Sequence, residues 1–272
     1  MPDSDQKAPR VLVFDSGVGG LSVLREISRR IPHAELVFAC DNAAFPYGII
    51  SEQRLMERVV EVMKLLLRET EPDIVVIACN TASTLVLEEL RRQFDIPFVG
   101  VVPAIKPAAS MSQSKVIGLL ATPGTVERNY TDSLISDFAP GCTVVRVGSS
   151  ELVYIAEQKL RGTPPETETL KQVVAPFLKQ NELDSVVLAC THFPLLVEEL
   201  RPLLPAKVQW IDSGEAIARR VETLLRSDND KRQTVERQTK HRALMTGDDA
   251  AIEVLSQQVR SFGLAPFEIL AL

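Results

Sequence analysis

Short apolar runs alternate along the chain with longer segments whose apolar residues recur at helical spacing. Residues 11–14, 35–39 and 74–78 are predicted strands, since they are short, apolar and rich in β-branched residues. Helix patterns begin near Leu21 and after Ser51, a residue type that can cap a helix. Such alternation is typical of an α/β fold with parallel strands.

The same alternation starts again in the second half of the chain. Residues 116–121, 143–147 and 185–189 are predicted strands, and helical patterns lie between them. The stretch 226–242 carries many charges without apolar periodicity, which predicts a solvated loop or an irregular helix. No low-complexity linker separates the two halves.

The two halves contain an internal repeat. Residues 73–83 overlie residues 184–194 at an offset of 111 (73 to 184), and five of the eleven positions are identical, Cys79 over Cys190 among them. The period is too long for a solenoid. We therefore predict a duplication in which two similar α/β lobes face each other across a cleft, each with a thiol at the carboxyl end of a strand.

The strands upstream of the two cysteines follow the same alignment. Residues 11–16 overlie residues 117–122 at an offset of 106 (11 to 117), which pairs the hydroxyl of Ser16 with that of Thr122. In open α/β sheets, ligands bind beyond the carboxyl ends of the strands. These positions are therefore expected to lie at a ligand site.

A thiol at the start of a helix has a chemical use. The unpaired N–H groups and the positive end of the helix dipole attract anions and lower the pKa of a cysteine there. Asn80, Thr81 and Thr191 follow the two cysteines, and these residue types can cap a helix and donate to a carboxylate. One thiol on each side of a carbon could remove a proton from one face and return one to the other, which inverts a stereocentre.

Other interpretations of the cysteines are weaker. Either Cys79 or Cys190 alone would be taken as a buried structural cysteine, as Cys40 and Cys142 are, but matched positions in a repeat favour a chemical role. Four cysteines in a chain of this length do not make a disulfide scaffold. The sequence has no Cys-x-x-Cys and only three scattered histidines, so no metal site is predicted. His192 is either a satisfied strand-end histidine or a partner of the Cys190 thiolate.

The composition excludes several classes of protein. With 272 residues, 45% hydrophobic and 24% charged, the chain is ordinary globular material for one large or two small domains. Its net charge of −6 argues against a nucleic-acid surface over the whole body. No apolar run is long enough to cross a membrane, and the polar start lacks the pattern of a secretory signal. We expect a cytoplasmic protein with neither nucleic-acid nor membrane partners.

Five ordered motifs together resemble bacterial glutamate racemase, a family of the aspartate/glutamate racemase superfamily. The resemblance runs from about residue 11 to residue 272, and the paired cysteine boxes are its most specific part. The motifs are residues 15–20 (Asp-Ser-Gly-Val-Gly-Gly), 45–48 (Phe-Pro-Tyr-Gly), 78–83 (Ala-Cys-Asn-Thr-Ala-Ser), 119–125 (Leu-Leu-Ala-Thr-Pro-Gly-Thr) and 189–196 (Ala-Cys-Thr-His-Phe-Pro-Leu-Leu).

The resemblance implies an isomerase that interconverts L- and D-glutamate without a cofactor or metal and supplies D-glutamate for peptidoglycan. It implies that Cys190 takes the α-proton from L-glutamate and Cys79 takes it from D-glutamate. Asp15 would assist Cys79 and His192 would assist Cys190. The repeat agrees with this asymmetry, because Ala121 overlies Asp15 and the second half lacks that carboxylate.

The resemblance also implies further site residues and an arrangement of the chain. Glu157 would support His192, and the substrate contacts would be Ser16, Tyr47, Gly48, Asn80, Thr81, Thr122 and Thr191. The implied architecture is α/β with two similar lobes, each a mainly parallel sheet flanked by helices, related by a pseudo-twofold axis with the active site in the cleft between them. The first lobe would comprise residues 1–103 and 211–272, and the second lobe residues 104–210.

Two alternatives remain open on the sequence alone. An aspartate racemase or a related isomerase of the superfamily differs in pocket depth, which the sequence does not specify. A two-lobe amino-acid-binding protein belongs to another class, and cysteines at these positions would be of no use to it. The expected partner is the small-molecule substrate, glutamate, and a homodimer is a further expectation.

Overall fold

The computed structural model describes residues 8–227 and 241–270 of the chain. Its internal contacts define two compact units, a first unit of Met1–Val101 with Gly214–Leu272 and a second unit of Val102–Ser213. The family resemblance implies the corresponding boundaries after residues 103 and 210. The polar start (residues 1–7) and most of the charged stretch 226–242 (residues 228–240) lie outside the described residues.

The first part of the first unit alternates strands and helices, as the apolar pattern predicts. Three short 3₁₀ turns interrupt it, at Val18–Gly20, Asn42–Ala44 and Tyr47–Ile49. The elements are β1 (Arg10–Asp15), α1 (Leu21–Arg30), β2 (Glu35–Cys40), α2 (Glu52–Thr70), β3 (Ile74–Ile77), α3 (Asn80–Gln93) and β4 (Phe98–Gly100).

The second unit repeats the alternation and is formed by one continuous stretch of chain. Its elements are α4 (Ile105–Met111), β5 (Val116–Ala121), α5 (Pro123–Val126), α6 (Asn129–Phe138), β6 (Thr143–Gly148), α7 (Glu151–Leu160), α8 (Thr167–Leu178), β7 (Ser185–Leu188), α9 (Val197–Leu200) and β8 (Gln209–Ile211), with 3₁₀ turns at Phe193–Leu196 and Arg201–Leu203.

The chain then returns to complete the first unit. Helix α10 packs against α1, and two short strands extend the sheet of this unit. The returning elements are α10 (Gly214–Ser227), β9 (Arg242–Met245), α11 (Ile252–Arg260) and β10 (Phe267–Ile269). No helix among the described residues is long and apolar enough to span a bilayer.

Each unit is built on a parallel sheet. The first sheet has the order β10-β9-β2-β1-β3-β4, the second has the order β6-β5-β7-β8, and every strand pairing is parallel. Strands β1 and β3 carry apolar residues on both faces because helices cover both sides of a parallel sheet. The predicted α/β fold, with two mainly parallel sheets flanked by helices, is confirmed.

The strand register reproduces the offsets of the sequence repeat. In the first sheet Phe14 pairs with Ile77, and in the second sheet Leu120 pairs with Leu188, which are 106 (14 to 120) and 111 (77 to 188) positions further on. The inner strand order is also the same, with β2-β1-β3-β4 matching β6-β5-β7-β8. The sequence repeat is therefore a repeat of the fold.

The predicted start of α2 is confirmed in position. Ser51 stands at the N-cap of α2, although its side chain makes no capping hydrogen bond. Its extended backbone and Glu52 in the first turn are nevertheless what a helix start requires.

Candidate active site

The thiol of Cys79 lies at the amino end of α3. Its backbone is extended (φ −79°, ψ 118°), Asn80 begins the helix, and Cys79 is only 6% exposed. Cys79 is therefore itself the N-cap residue, and Asn80 and Thr81 belong to the first helical turn instead of capping it. The unpaired N–H groups of that turn favour negative charge on a group placed at the cap.

Two polar side chains at the end of β1 accompany this thiol. The Ser16 amide and hydroxyl donate to Oδ1 of Asp15 at 2.6 and 3.3 Å, and the Ser16 Oγ lies 3.8 Å from the Cys79 Sγ. All three residues are buried. The Ser16 hydroxyl thus contacts both the predicted helper carboxylate and the predicted catalytic thiol.

Gly20 allows the turn after β1 to close tightly behind this group. A Cβ at Gly20 would lie 3.0 Å from the Cβ of Asp15 and 3.2 Å from that of Ala78. The glycine-rich sequence therefore allows close packing of the turn before α1, and its spacing is not that of a nucleotide-binding loop.

The side chain of Asn80 is the most informative polar group in this unit. Asn80 is 4% exposed, and neither its Nδ2 nor its Oδ1 has a hydrogen-bond partner among the described residues. Leaving a buried polar group without a hydrogen-bond partner costs about 1–3 kcal/mol, so a bound molecule that supplies the missing hydrogen bonds is one explanation for such a group. An amide that both donates and accepts suits a ligand with a carboxylate and an ammonium group.

Tyr47 and Gly48 belong to a 3₁₀ turn that contacts α3. The Tyr47 side chain is buried in the same apolar cluster as Cys79, and its hydroxyl donates to Asp41 at 2.7 Å. Tyr47 can therefore offer a ligand its main chain, because its hydroxyl is already engaged. A Cβ at Gly48 would meet no atom within 4 Å, so the protein itself leaves space there.

Cys190 follows β7 in the second unit, but the helix start predicted after it is a 3₁₀ turn instead of an α-helix such as α3. His192 precedes the 3₁₀ turn Phe193–Leu196, and only the four-residue helix α9 follows. Pro194 and Pro202 lack the N–H that a continuous helix would need. The helix dipole invoked for both thiols is thus available to Cys79 only.

A buried histidine takes the place of the helix beside Cys190. The Cys190 Sγ lies 3.8 Å from the Nδ1 of His192, and the His192 Nε2 lies 2.8 Å from the Oε1 of Glu157. Glu157 is also ion-paired to Arg161, which follows α7. The structure therefore brings Cys190, His192 and Glu157 together as predicted, and it adds Arg161, which sequence reasoning missed.

The charges of His192, Glu157 and Arg161 stabilise one another. Full burial lowers the pKa of His192, but the hydrogen bonds and negative charges of Cys190 and Glu157 outweigh burial and raise this pKa well above its usual value. Burial likewise raises the pKa of Glu157, and His192 with Arg161 outweighs it, so this pKa is lowered. The arrangement therefore favours an imidazolium beside the Cys190 thiol.

Two further predicted residues lie in the second unit. Thr122 stands at the start of α5, and its hydroxyl lies 2.9 Å from that of Thr125. Thr191 is 4% exposed and stands between Cys190 and His192. Both follow the carboxyl ends of their strands, the positions that correspond to Ser16 and Asn80 in the repeat.

The cysteines and acidic residues do not form a metal centre in the part of the chain that is described. No group of three His, Cys, Asp or Glu side chains there could hold an ion. None of the four cysteines, Cys40, Cys79, Cys142 and Cys190, forms a disulfide. The thiols, hydroxyls and amide at the two strand ends are groups that can transfer protons and bind anions.

Comparison with known proteins agrees with this chemistry. The Asp/Glu/Hydantoin racemase family matches residues 16–221. The glutamate racemase of Vibrio cholerae is 47% identical over 267 residues, covering 97% of this chain and 98% of that protein.

Solved structures resemble the chain over nearly its whole length. The crystal structure of Escherichia coli glutamate racemase, in complex with L-glutamate and the activator UDP-MurNAc-Ala, has a TM-score of 0.91 and 45% identity, covering 97% of this chain and 99% of that one. Glutamate racemase isoform RacE1 from Bacillus anthracis has a TM-score of 0.83 and 28% identity, covering 98% and 99%. The chain therefore belongs to the Asp/Glu/Hydantoin racemase family and is an amino-acid racemase, an isomerase.

Proposed function

We propose that the chain is a glutamate racemase that uses Cys79 and Cys190 as its two proton-transfer groups. The observation that carries this proposal is that two buried cysteines outside any disulfide occupy equivalent positions in two sheets with the same inner strand order. Each thiol also has a buried polar partner, Ser16 with Asp15 for Cys79 and His192 for Cys190. Glutamate as the substrate is supported by the glutamate racemases to which the chain is similar.

The reaction is one proton exchange on each face of the α-carbon. The Cys190 thiolate takes the α-proton of L-glutamate, which leaves a carbanion, and the Cys79 thiol donates its proton to the opposite face to give D-glutamate. The reverse reaction starts with Cys79 as thiolate and Cys190 as thiol. Solvent exchange then restores the starting protonation states.

The α-proton is a very weak acid, so the developing negative charge must be stabilised electrostatically. The amino end of α3 and the amide of Asn80 are suited to the α-carboxylate, and the hydroxyls of Ser16, Thr81, Thr122 and Thr191 are further donors. The imidazolium of His192, paired with Glu157, would stabilise a thiolate at Cys190. None of these steps requires a cofactor.

Circular dichroism of purified protein with L- or D-glutamate tests the activity without added cofactor. The signal should decay to zero from either enantiomer. UDP-MurNAc-Ala is added in a parallel series, because the similar E. coli structure contains it as an activator, and L- and D-aspartate are offered as competing substrates. Faster turnover of aspartate would favour the aspartate racemase alternative, and glutamate binding without turnover in either series would favour an amino-acid-binding protein.

Single-cysteine variants test the mechanism. Cys79→Ala and Cys190→Ala should each lower racemisation by about 10²-fold or more, which is what one acid–base group contributes. Cys40→Ala in the first unit and Cys142→Ala in the second are the matched controls and should remain active. Full activity of either Cys79→Ala or Cys190→Ala would refute the two-thiol mechanism.

Hydrogen exchange in deuterium oxide tests which thiol serves which enantiomer. Enantiomers have equal free energies in achiral solvent, so kcat/KM is the same in both directions for every variant and cannot assign the thiols. Cys79→Ala retains Cys190 and should exchange the α-hydrogen of L-glutamate without inversion. Cys190→Ala should exchange only that of D-glutamate, and the opposite pattern would reverse the assignment.

The biological role follows from the product. We expect a cytoplasmic enzyme whose D-glutamate is used for peptidoglycan synthesis. Its gene should therefore rescue a bacterium that otherwise requires external D-glutamate, and the Cys79→Ala gene should not. The homodimer stays a prediction that sedimentation of the purified protein can check.

A further inference from the structure

A buried carboxylate outside the predicted set of site residues organises the turn that carries Tyr47 and Gly48. Asp41 directly follows β2 and is completely buried. Its oxygens accept hydrogen bonds from Tyr47 Oη at 2.7 Å, from Arg58 Nε and Nη2 at 2.9 and 2.6 Å, and from Thr246 Oγ1 at 2.5 Å. Every one of these donors is a side chain, so the carboxylate joins three separate parts of the first unit.

The three donors come from elements that are distant in sequence. Tyr47 lies in the 3₁₀ turn, Arg58 on α2, and Thr246 directly after β9. The Asp41 amide itself donates to the main-chain oxygen of Asp15 at 2.9 Å. The carboxylate is therefore tied to the strand end that holds the predicted helper of Cys79.

Neighbouring contacts fasten the same two chain segments together. The Asn42 side chain exchanges two hydrogen bonds with the main chain of Gly247, at 2.9 and 2.8 Å, and the Ala43 amide donates to the Thr246 hydroxyl at 3.3 Å. Segment 41–43 is thus fixed to the loop after β9. This leaves the Tyr47 side chain to hold the following turn.

The turn itself has few regular main-chain hydrogen bonds of its own. The Ile49 and Ile50 amides donate to Pro46 and Tyr47 at 3.4 and 3.2 Å, which are long bonds. The Tyr47 ring is buried, with its centroid 6.4 Å from that of Phe14, and its hydroxyl ends on Asp41. Burial and the Asp41 carboxylate raise the pKa of Tyr47 well above its usual value, so the phenol remains a donor.

We propose that Asp41 is a positioning residue for the racemase reaction: through Tyr47 it fixes the main chain of the turn at Gly48 against α3, with Arg58 and Thr246 orienting its carboxylate. This proposal rests on the proposed function, because it treats the turn as part of the glutamate site. Asp41 does not itself act on the α-carbon. Its loss should therefore weaken substrate binding more than it slows proton transfer.

Tyr47→Phe is the most direct test, since it removes one hydroxyl and keeps the buried ring. KM for both glutamate enantiomers should rise about 10-fold, with kcat changed by less than about 3-fold, because a shifted binding segment costs affinity before chemistry. Arg58→Met should act in the same sense. Arg242→Met is the matched control, since Arg242 is similarly exposed and ion-paired to Glu69 and Glu268 at the opposite end of β9.

The Thr246 pair separates positioning from general stability. Thr246→Val removes the hydroxyl at constant shape and should raise KM, whereas Thr246→Ser keeps the hydroxyl and should restore the wild-type KM. Thermal unfolding is recorded for each variant. An unchanged KM in Tyr47→Phe and Thr246→Val, with only the unfolding temperature lowered, would overturn the positioning role.

The wild-type protein distinguishes this result from failure of the proposed function. If the wild type does not racemise glutamate, with or without UDP-MurNAc-Ala, the proposed function fails and the positioning role fails with it. If the wild type is active and the variants keep their KM, only the positioning role fails. If Arg58→Met does not fold, the comparison of Tyr47→Phe with wild type decides.

Discussion

Glu157→Gln removes the negative charge beside His192 and, with it, the ion pair of Glu157 to Arg161. Glutamine keeps the volume of the side chain and an oxygen that can accept from His192 Nε2, so the 2.8 Å contact can persist. Glu157 and His192 are 3% and 2% exposed, so water cannot replace the lost charge. The substitution therefore takes a negative charge away from both His192 and Arg161 at nearly constant side-chain volume.

The size of the effect follows from the energy of charged hydrogen bonds. Hydrogen bonds to charged groups contribute about 1.5–3 kcal/mol. A bond between two charged groups lies at the upper end of this range and the bond of the imidazolium to a neutral amide at the lower end, so the imidazolium loses about 1.4 kcal/mol, a factor of about 10. Glu157 helps to raise the pKa of His192, and this pKa falls when the charge is removed. The imidazolium is then lost at lower pH, and kcat on the alkaline side should drop about 10-fold.

The stability of the protein should change with pH in a matching way. The pKa of His192 is raised on folding, so its stabilising contribution is complete below the unfolded pKa of about 6.5 and is lost as pH rises through the folded pKa. In Glu157→Gln this alkaline loss should be smaller, because less stabilisation is present to lose. Urea unfolding at several pH values measures this pH dependence of the free energy of unfolding.

The assay is a pH profile of kcat for racemisation, followed by circular dichroism. Glu151→Gln is the control, because Glu151 is exposed at the start of the same helix, α7. The alkaline limb of Glu157→Gln should lie at lower pH than that of the wild type and of the control. A folded Glu157→Gln protein whose alkaline limb coincides with that of the wild type would refute the reasoning.

Two further predictions concern other parts of the chain. Gly48→Ala should leave the free energy of unfolding unchanged, because a Cβ there meets no atom within 4 Å, but it should raise KM for glutamate because the added methyl group blocks a ligand at that main chain. Gly141→Ala is the control, because a Cβ at Gly141 also meets no atom within 4 Å. Equal KM values in the two variants would contradict ligand contact at Gly48. Asp184 is partly buried, which raises its pKa, but hydrogen bonds from the Ser114 main chain and the Ser112 hydroxyl lower that pKa from 3.8 to about 2. The ionised Asp184 carboxylate stabilises the fold above its unfolded pKa, and this contribution is lost as pH falls towards 2. Asp184→Asn should therefore lower the free energy of unfolding by about 1 kcal/mol at neutral pH and reduce its decrease in acid, as measured by urea unfolding. An unchanged decrease in acid would contradict this prediction.

The sequence was most informative where a local pattern reflects burial. Residues 11–14 and 74–78 are apolar on both faces because parallel strands are covered by helices on both sides, so β1 and β3 could be predicted from composition alone. The repeat could be predicted because equivalent strands in the two units have the same environment. The repeat also identified Cys79 and Cys190 as equivalent residues.

Contacts created only by folding could not be found this way. Thr246 and Asp41 are 205 positions apart and meet because β9 pairs with β2, a pairing of a four-residue strand that has no strong pattern. The contact of Arg161 could have been predicted from the sequence, because Arg161 lies four residues after Glu157, the spacing of helical ion pairs. The repeat predicts a helix start after Cys190 like that after Cys79, and this prediction is wrong because Pro194 and Pro202 lack the N–H groups that a continuous helix needs.

The discontinuity of the first unit has a consequence for synthesis of the chain. Residues 102–213 form the second unit from one uninterrupted stretch and need nothing that is translated later. The edge of β2, in contrast, stays unpaired until β9 emerges, and the nascent first unit exposes free N–H and C=O groups throughout that interval. Aggregation during translation, and the demand for a chaperone to prevent it, should therefore concentrate on the incomplete first unit.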